Sequence, residues 1–245
     1  MHSRPTTKTT SIFPTFCADV SPSAELSERY ARVSAAINDA CRVAERSRDD
    51  VTLIIVTKFH PSSLIRELVE LGVHDVGENR HQDAAPKAAE LTDLPLTWHF
   101  VGQLQSNKAR AVAQYSTVVH SVDRASIVTA LARADKPLEI FLEVNLTADP
   151  GRGGARPEEL LSLAEQVLDH PSLTLLGVMA VAPVDEPARA AFARLRTLSA
   201  NLRTVAPDAV FISAGMSGDY ADAIAEGATH LRIGAAITGN RPERL

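Results

Sequence analysis

Aromatic side chains make up only 4% of this 245-residue chain, and its positive charges form no stripe. Proteins that hold single-stranded nucleic acid need stacking platforms beside basic grooves, so both shortages argue against a nucleic-acid partner. Cysteine is nearly missing as well. Cys17 and Cys41 cannot build a disulfide framework, and free thiols in a reducing compartment are the plain reading. No apolar run approaches the roughly 18 residues that span a bilayer, so no membrane partner is expected. The opening stretch MHSRPTTKTTSIFPTFCADV is rich in Ser, Thr and Pro. It lacks the continuous apolar core of a signal peptide. The expectation is a disordered tail over residues 1–22, one domain over 23–245 and a cytoplasmic location.

What the chain has is apolar alternation. Apolar residues reach 45%, enough for a sizeable core. Residues 23–46 carry Leu26, Tyr30, Val33, Ile37, Cys41 and Ala44 at helical spacing behind Ser23, a plausible N-cap, and this predicts a helix. Short strand-like runs rich in β-branched residues then recur at 51–57, 73–76, 97–101, 117–120, 138–144, 173–180, 209–213 and 229–233. Helical stretches such as 62–70, 124–134, 157–169 and 187–204 lie between them. Eight strand–helix units predict an α/β fold, a closed (β/α)8 TIM barrel with an extra N-terminal helix. A doubly wound open sheet is the alternative.

Barrels build their sites at the C-terminal ends of the strands. Those ends carry Lys58, Gly77-Glu78-Asn79, Gly102-Gln103, His120-Ser121, Glu143-Val144-Asn145, Met179, Ser213 to Ser217 and Arg232 to Ala235. The first of them poses a question, because the apolar run VTLIIVT ends in a lysine. Lys58 has three readings. It snorkels to solvent, it pairs with a carboxylate such as Glu78 or Glu143, or its amine is the functional group. A partly desolvated amine can attack a carbonyl and form a Schiff base.

The end of the chain narrows the choice. Ser213 offers a hydroxyl, and Gly215 and Gly234 would let backbone approach a ligand. Each of the last two strands leads into a helix start, at Ser217 or Gly218 and at Gly234. Helix starts present free N–H groups, and the loops after strands 7 and 8 are the usual phosphate site of barrels. A reactive amine facing a phosphate pocket suggests a phosphorylated aldehyde, of which pyridoxal 5′-phosphate (PLP) is the common one.

VTKFHP resembles the lysine strand of the pyridoxal-phosphate homeostasis protein family. So do GENRHQD (77–83), WHFVGQLQSNKAR (98–110) and SAGMSGDYADAIAEGATHLRIGAAITG (213–239), with EVN (143–145) and GVMAV (177–181) in order between them. The resemblance runs from about residue 24 to 241. It implies a PLP-binding barrel related to the N-terminal domain of bacterial alanine racemases. By that resemblance Lys58 forms the internal aldimine, and Ser213, Gly234 and Ala235 hold the phosphate. Arg232 stands near the pyridine nitrogen, Asn79 beside the cofactor, and Met216 and Ser217 in the loop next to the phosphate. A guanidinium there cannot accept a proton and favours a neutral pyridine, which weakens carbanion chemistry. Two positions depart from the family pattern. Ala235 stands where threonine is common, so one hydroxyl contact to phosphate would be missing, and Gln103 stands where histidine or proline is common.

The implied role is a PLP carrier that keeps the free aldehyde low and passes it to apo-enzymes, with no robust catalysis. An amino-acid racemase is the alternative, and a cofactor-free Schiff-base aldolase fits the family blocks less well. A racemase needs a second acid–base group opposite the lysine. In alanine racemases that group is a tyrosine from a C-terminal domain. Here the sequence stops at Leu245, and Tyr30, Tyr115 and Tyr220 fall on helical segments. A monomer or weak dimer is expected. His74, His81, His99, His120 and His230 form no metal-ligand motif and are read as surface or packed side chains, with His120 the one to follow. NLTADPGRGGARPEE (145–159) reads as a flexible loop, a flap over the cofactor being the sharper alternative. LQSNKAR (104–110) reads as a solvated face rather than an anion site through Asn107 and Lys108.

Overall fold

A computed structural model describes residues 21–134, 136–149 and 151–241. The expected tail and Cys17 lie outside the described residues, apart from Ser21 and Pro22. The chain enters through α1 (Ala24–Val43), then runs β1 (Thr52–Val56), α2 (Ser62–Glu70), β2 (Asp75–Glu78), α3 (His81–Glu90), β3 (Thr97–Phe100) and α4 (Ser106–Tyr115). It continues with β4 (Val118–Val122), α5 (Ala125–Ala132), β5 (Leu138–Glu143), α6 (Leu160–Leu168), β6 (Leu173–Met179) and α7 (Ala188–Leu202). β7 (Phe211–Ser213), α8 (Tyr220–Ala225), β8 (His230–Ile233) and α9 (Ala235–Thr238) complete it.

Every strand pairs in parallel with its sequence neighbours, and β8 returns to β1 through Leu53↔Leu231 and Ile54↔Arg232. The sheet is therefore a closed barrel and not an open one. Strands covered on both faces must be apolar along their length, as β4 (VVHSV) shows by being buried at all of its positions. Each helix lays one stripe on the barrel wall. α2 buries Ile65 and Leu68, and α6 buries Leu160, Leu163, Ala164 and Val167.

α1 forms as its spacing predicts. Ser23 accepts from Leu26 N at 3.3 Å, and Leu26, Val33, Ile37 and Cys41 are buried. The helix packs on α8 and α9. Two arginines fasten it there. Arg29 Nε donates to Ile237 O at 2.8 Å, and Arg46 Nη1 donates to the carbonyls of Ile224 and Ala228 at 3.0 and 2.6 Å. These are carbonyls at or just past helix C-termini, which lack partners within their own helices and favour positive charge. Cys41 is a buried free thiol whose pKa burial pushes up. Among the described residues no helix is long and apolar enough to cross a membrane.

Several boundaries differ from the sequence reading. β2 starts at Asp75 and reaches Glu78, and β4 continues to Val122, so His120 is inside a strand and fully buried rather than at its end. The glycine-rich segment after β5 is stitched down. Val144 bridges Ala155, Asn145 N donates to Ala155 O at 2.9 Å, and Asn145 Nδ2 donates to the carbonyls of Asp149 and Arg152. Asn107 and Lys108 are exposed at the start of α4, in keeping with a solvated face.

If α1 is part of the same cooperative unit as the barrel, Ile37→Ala costs about 2–5 kcal/mol in chemical denaturation, as fully buried Ile-to-Ala changes do. A loss well under that range would show α1 to be an appendage.

Candidate functional site

Lys58 follows β1 and is exposed. Phe59, next to it, adopts the left-handed region at φ 69°, which is rare for a bulky residue. Its ring is faced by three cations, Lys58 Nζ at 5.8 Å, Arg80 at 5.7 Å and Arg241 at 4.1 Å from the centroid. Among the described residues Lys58 forms no ion pair with Glu78 or with Glu143, and Glu78 is paired elsewhere. Glu78 Oε1 accepts from Lys87 Nζ at 2.6 Å and from the Thr57 hydroxyl at 2.7 Å. Lys87 Nζ also donates to Thr57 O at 3.0 Å. A buried ion pair thus grips both the side chain and the carbonyl of the residue before Lys58, and holds the end of β1 against β2 and α3. Sequence reasoning named Glu78 and missed Lys87, which lies on a helix with few apolar residues.

The β1–β2 register, Val56 opposite Gly77, runs on toward Lys58 and Asn79. Asn79 Oδ1 is buried with no hydrogen-bond partner among the described residues. Gly102 presses on the same segment, since a Cβ there would sit 2.0 Å from Asn79 O. Asn79 lines a cleft with Arg80, Phe100, Gln103 and Lys108, so Gln103 is at the rim of the site mouth.

Arg232, on β8, is buried. Its Nη1 donates to Ser213 Oγ at 2.7 Å and its Nη2 to Ala180 O at 3.0 Å. Among the described residues it forms no ion pair. Burial pulls its pKa down to about 10, opposed by Glu143 and Asp219. The predicted partners Ser213 and Arg232 are therefore together. Gly234 closes the circle to the lysine strand, because a Cβ added to it would meet Val56 O at 3.4 Å. Ala235 is exposed as the first residue of α9.

The loop after β7 is arranged differently from the expectation. Gly215 has φ +94° and a Cβ there would meet Ala223, Leu231 and Tyr220, so the glycine serves packing rather than ligand approach. Met216 and Ser217 are exposed in the turn before α8, whose N-cap is Asp219 and not Ser217 or Gly218. Asp219 Oδ1 already accepts from Met216 N at 2.6 Å. Sequence reasoning did not single out Asp219.

Glu143 ends β5. Burial pushes its pKa up to about 7, with Asp123 adding to the rise and Arg232, Arg124 and Arg152 opposing it. Tyr30, Tyr115 and Tyr220 lie on α1, α4 and α8, as read from the sequence. Among the described residues no group of three His, Cys, Asp or Glu side chains could hold a metal ion. His120 and His230 instead pack against Phe141, and His99 packs against His120.

The chain is thus a closed βα barrel with a lysine after its first strand and a buried arginine on its last. The alanine racemase N-terminal domain family model matches residues 34–242. A pyridoxal phosphate homeostasis protein of Pseudomonas aeruginosa is 44% identical over 223 residues, covering 88% of this chain and 96% of the relative. One of Corynebacterium glutamicum is 38% identical over 223 residues, covering 86% and 98%. The structure of PipY of Synechococcus elongatus with PLP bound is 36% identical, with a TM-score of 0.77, covering 87% of this chain and all of that one. The chain belongs to the alanine racemase N-terminal domain family and, within it, to the pyridoxal phosphate homeostasis proteins.

Two outcomes follow from the site's charges. Lys87→Met strips Glu78 of its buried partner and costs about 3–5 kcal/mol in denaturation, whereas Glu78→Gln with Lys87→Met recovers most of it. Equal losses in the single and double variants would mean the pair is not the source. Glu143 titrates near 7 when folded against 4.5 when free, so the native state alone holds the proton between those values. Its contribution to stability is full below the lower value and is lost as pH rises through the upper one. Glu143→Gln should therefore gain on the wild type, by a few kcal/mol at most, when denaturation is measured above that window instead of below it. A gap that does not change with pH would refute the assignment.

Proposed function

We propose that this protein binds PLP at the barrel mouth, with Lys58 Nζ as the amine that joins it in a covalent Schiff-base linkage. The observation that carries the reading is the buried charge of Arg232, one strand from the lysine strand and without an ion pair among the described residues. A guanidinium left without a carboxylate in a barrel interior needs an electron-rich partner at the mouth. A pyridine nitrogen is such a partner, and an arginine can donate to it without protonating it. The residues present fit the group on a second count, since the buried Asn79 Oδ1 has no hydrogen-bond partner among the described residues. The curated relatives named for PLP homeostasis and the PLP-bound PipY support the same reading.

In this proposal Ser213, Gly234 and Ala235 lie at the phosphate, with Met216 and Ser217 in the flanking loop and Asn79 beside the ring. The cofactor supplies an electrophilic aldehyde whose electron demand stays modest next to an arginine. Lys58 holds that aldehyde, and the Glu78–Lys87 clamp fixes the backbone from which Lys58 reaches. The role that follows is storage and delivery. The protein keeps free PLP low in the cytoplasm and passes it to apo-enzymes, without running a fast reaction of its own. We infer a monomer or weak dimer in solution, which sedimentation over a concentration series checks.

The purified protein mixed with PLP should show a near-visible absorption band that borohydride bleaches, with the fixed adduct on the Lys58 peptide, and Lys58→Ala should show neither. A band unchanged in Lys58→Ala would refute the linkage. Transfer to an apo-enzyme no faster than from free PLP after dilution would refute delivery while leaving binding intact.

A further inference from the structure

A single file of side-chain hydrogen bonds crosses the barrel from floor to mouth. Asp75, the first residue of β2, bonds His99 Nε2 at 2.9 Å. His99 Nδ1 bonds His120 Nε2 at 2.9 Å, His120 Nδ1 bonds Ser213 Oγ at 2.8 Å, and Arg232 Nη1 donates to that same oxygen at 2.7 Å. His99, His120, Ser213 and Arg232 are buried, while the Asp75 side chain keeps 32% of its surface exposed. The column is open to water at the floor and meets the proposed ligand at the mouth.

Both ends constrain the protons between them. Arginine only donates and the Asp75 carboxylate only accepts. The carboxylate requires a proton on His99 Nε2. If His99 is neutral, its Nδ1 accepts, so His120 carries its proton on Nε2 and its Nδ1 accepts from Ser213. The Ser213 hydroxyl hydrogen is then spent inward and cannot reach an anion. If His99 holds a second proton, its Nδ1 donates to His120 Nε2. His120 then carries its single proton on Nδ1 and donates to Ser213 Oγ, whose two acceptor sites are filled by His120 and Arg232. The hydroxyl hydrogen is released to the mouth. The two arrangements differ by one proton, held on His99, and by the tautomer of His120.

We infer that His99 and His120 are positioning residues for Ser213, and that a phosphate group accepting the Ser213 hydroxyl at the mouth draws one proton into the barrel onto His99. The inference rests on the reading of the mouth as a PLP site. The titratable and charged groups facing His99 are Asp75 from β2, His120 from β4, His230 from β8 and, beyond them, Arg232. Asp75 is the group among them that favours a cation. Burial and the neighbouring His99, Arg232 and His230 hold His120 well below the usual histidine range, and burial with His99 holds His230 down at about 4, so neither competes for the proton.

The test is nitrogen-15 histidine NMR on the full chain, titrated with PLP while absorption follows Lys58. Resonances are assigned with His99→Gln and His120→Asn. On binding, His99 should pass from one protonated nitrogen to two, and His120 should move its proton from Nε2 to Nδ1. Calorimetry in buffers of differing ionisation enthalpy gives a second readout. The wild type should take up about one proton more per PLP bound than Asp75→Asn, which keeps both rings but removes the carboxylate. A merely structural column would move neither signal. Binding with unmoved tautomers and equal proton uptake would overturn the inference alone. Failure of PLP to bind at all would instead remove the site reading beneath it, and the inference with it.

Discussion

A buried guanidinium that meets no carboxylate among the described residues is the constraint around which this site is arranged. Arg232 is committed by its two donor bonds to Ser213 and to the Ala180 carbonyl. Those bonds satisfy part of its hydrogen-bonding capacity but not its charge. An arginine in that state costs several kcal/mol unless something electron-rich meets it. The rest of the site is consistent with that demand. Glu143 and Asp219 lie near enough to oppose the fall in its pKa, yet neither closes an ion pair with it. The charge thus remains available at the mouth, where a ligand can use it.

The lysine that opens the site is controlled differently. Among the described residues no hydrogen bond or ion pair holds the Lys58 amine, which lies 5.8 Å from the Phe59 ring centroid. Its freedom is limited one residue earlier, where Thr57 is held by side chain and carbonyl to the Glu78–Lys87 pair. An amine on a fixed base can change its direction without the strand end moving. This division between a rigid backbone and a free amine is compatible with the proposed role in storage and delivery.

The fold was largely legible in the sequence. Most strand positions are buried, so runs such as LIIV, FLE and GVM stand out from their surroundings, and the eightfold alternation leaves a barrel as the simplest closure. α3 was harder to see. HQDAAPKAAE contains Pro86 and buries only Ala84 and Ala88, so its apolar stripe is too faint to mark a helix. Its Lys87 was missed with it. Lys58, Ser213 and Arg232 were legible because polar residues at strand ends break an apolar pattern. The histidine column was not, since His99 and His120 sit mid-strand, where a sequence pattern cannot show that two inward rings will touch. Asp219 was hidden for a related reason, as its role depends on a turn that folds it back onto Met216.

The setting of Phe59 has a consequence for how a ligand arrives. The chain as a whole carries a formal charge of −5, yet Lys58, Arg80 and Arg241 converge on one ring at the barrel mouth. An acidic body with a cationic rim focuses field lines into its own opening. Such a cluster of cations favours the approach of a small anion such as the proposed ligand. Under that proposal, long-range attraction at Phe59 acts before any contact inside the barrel is made.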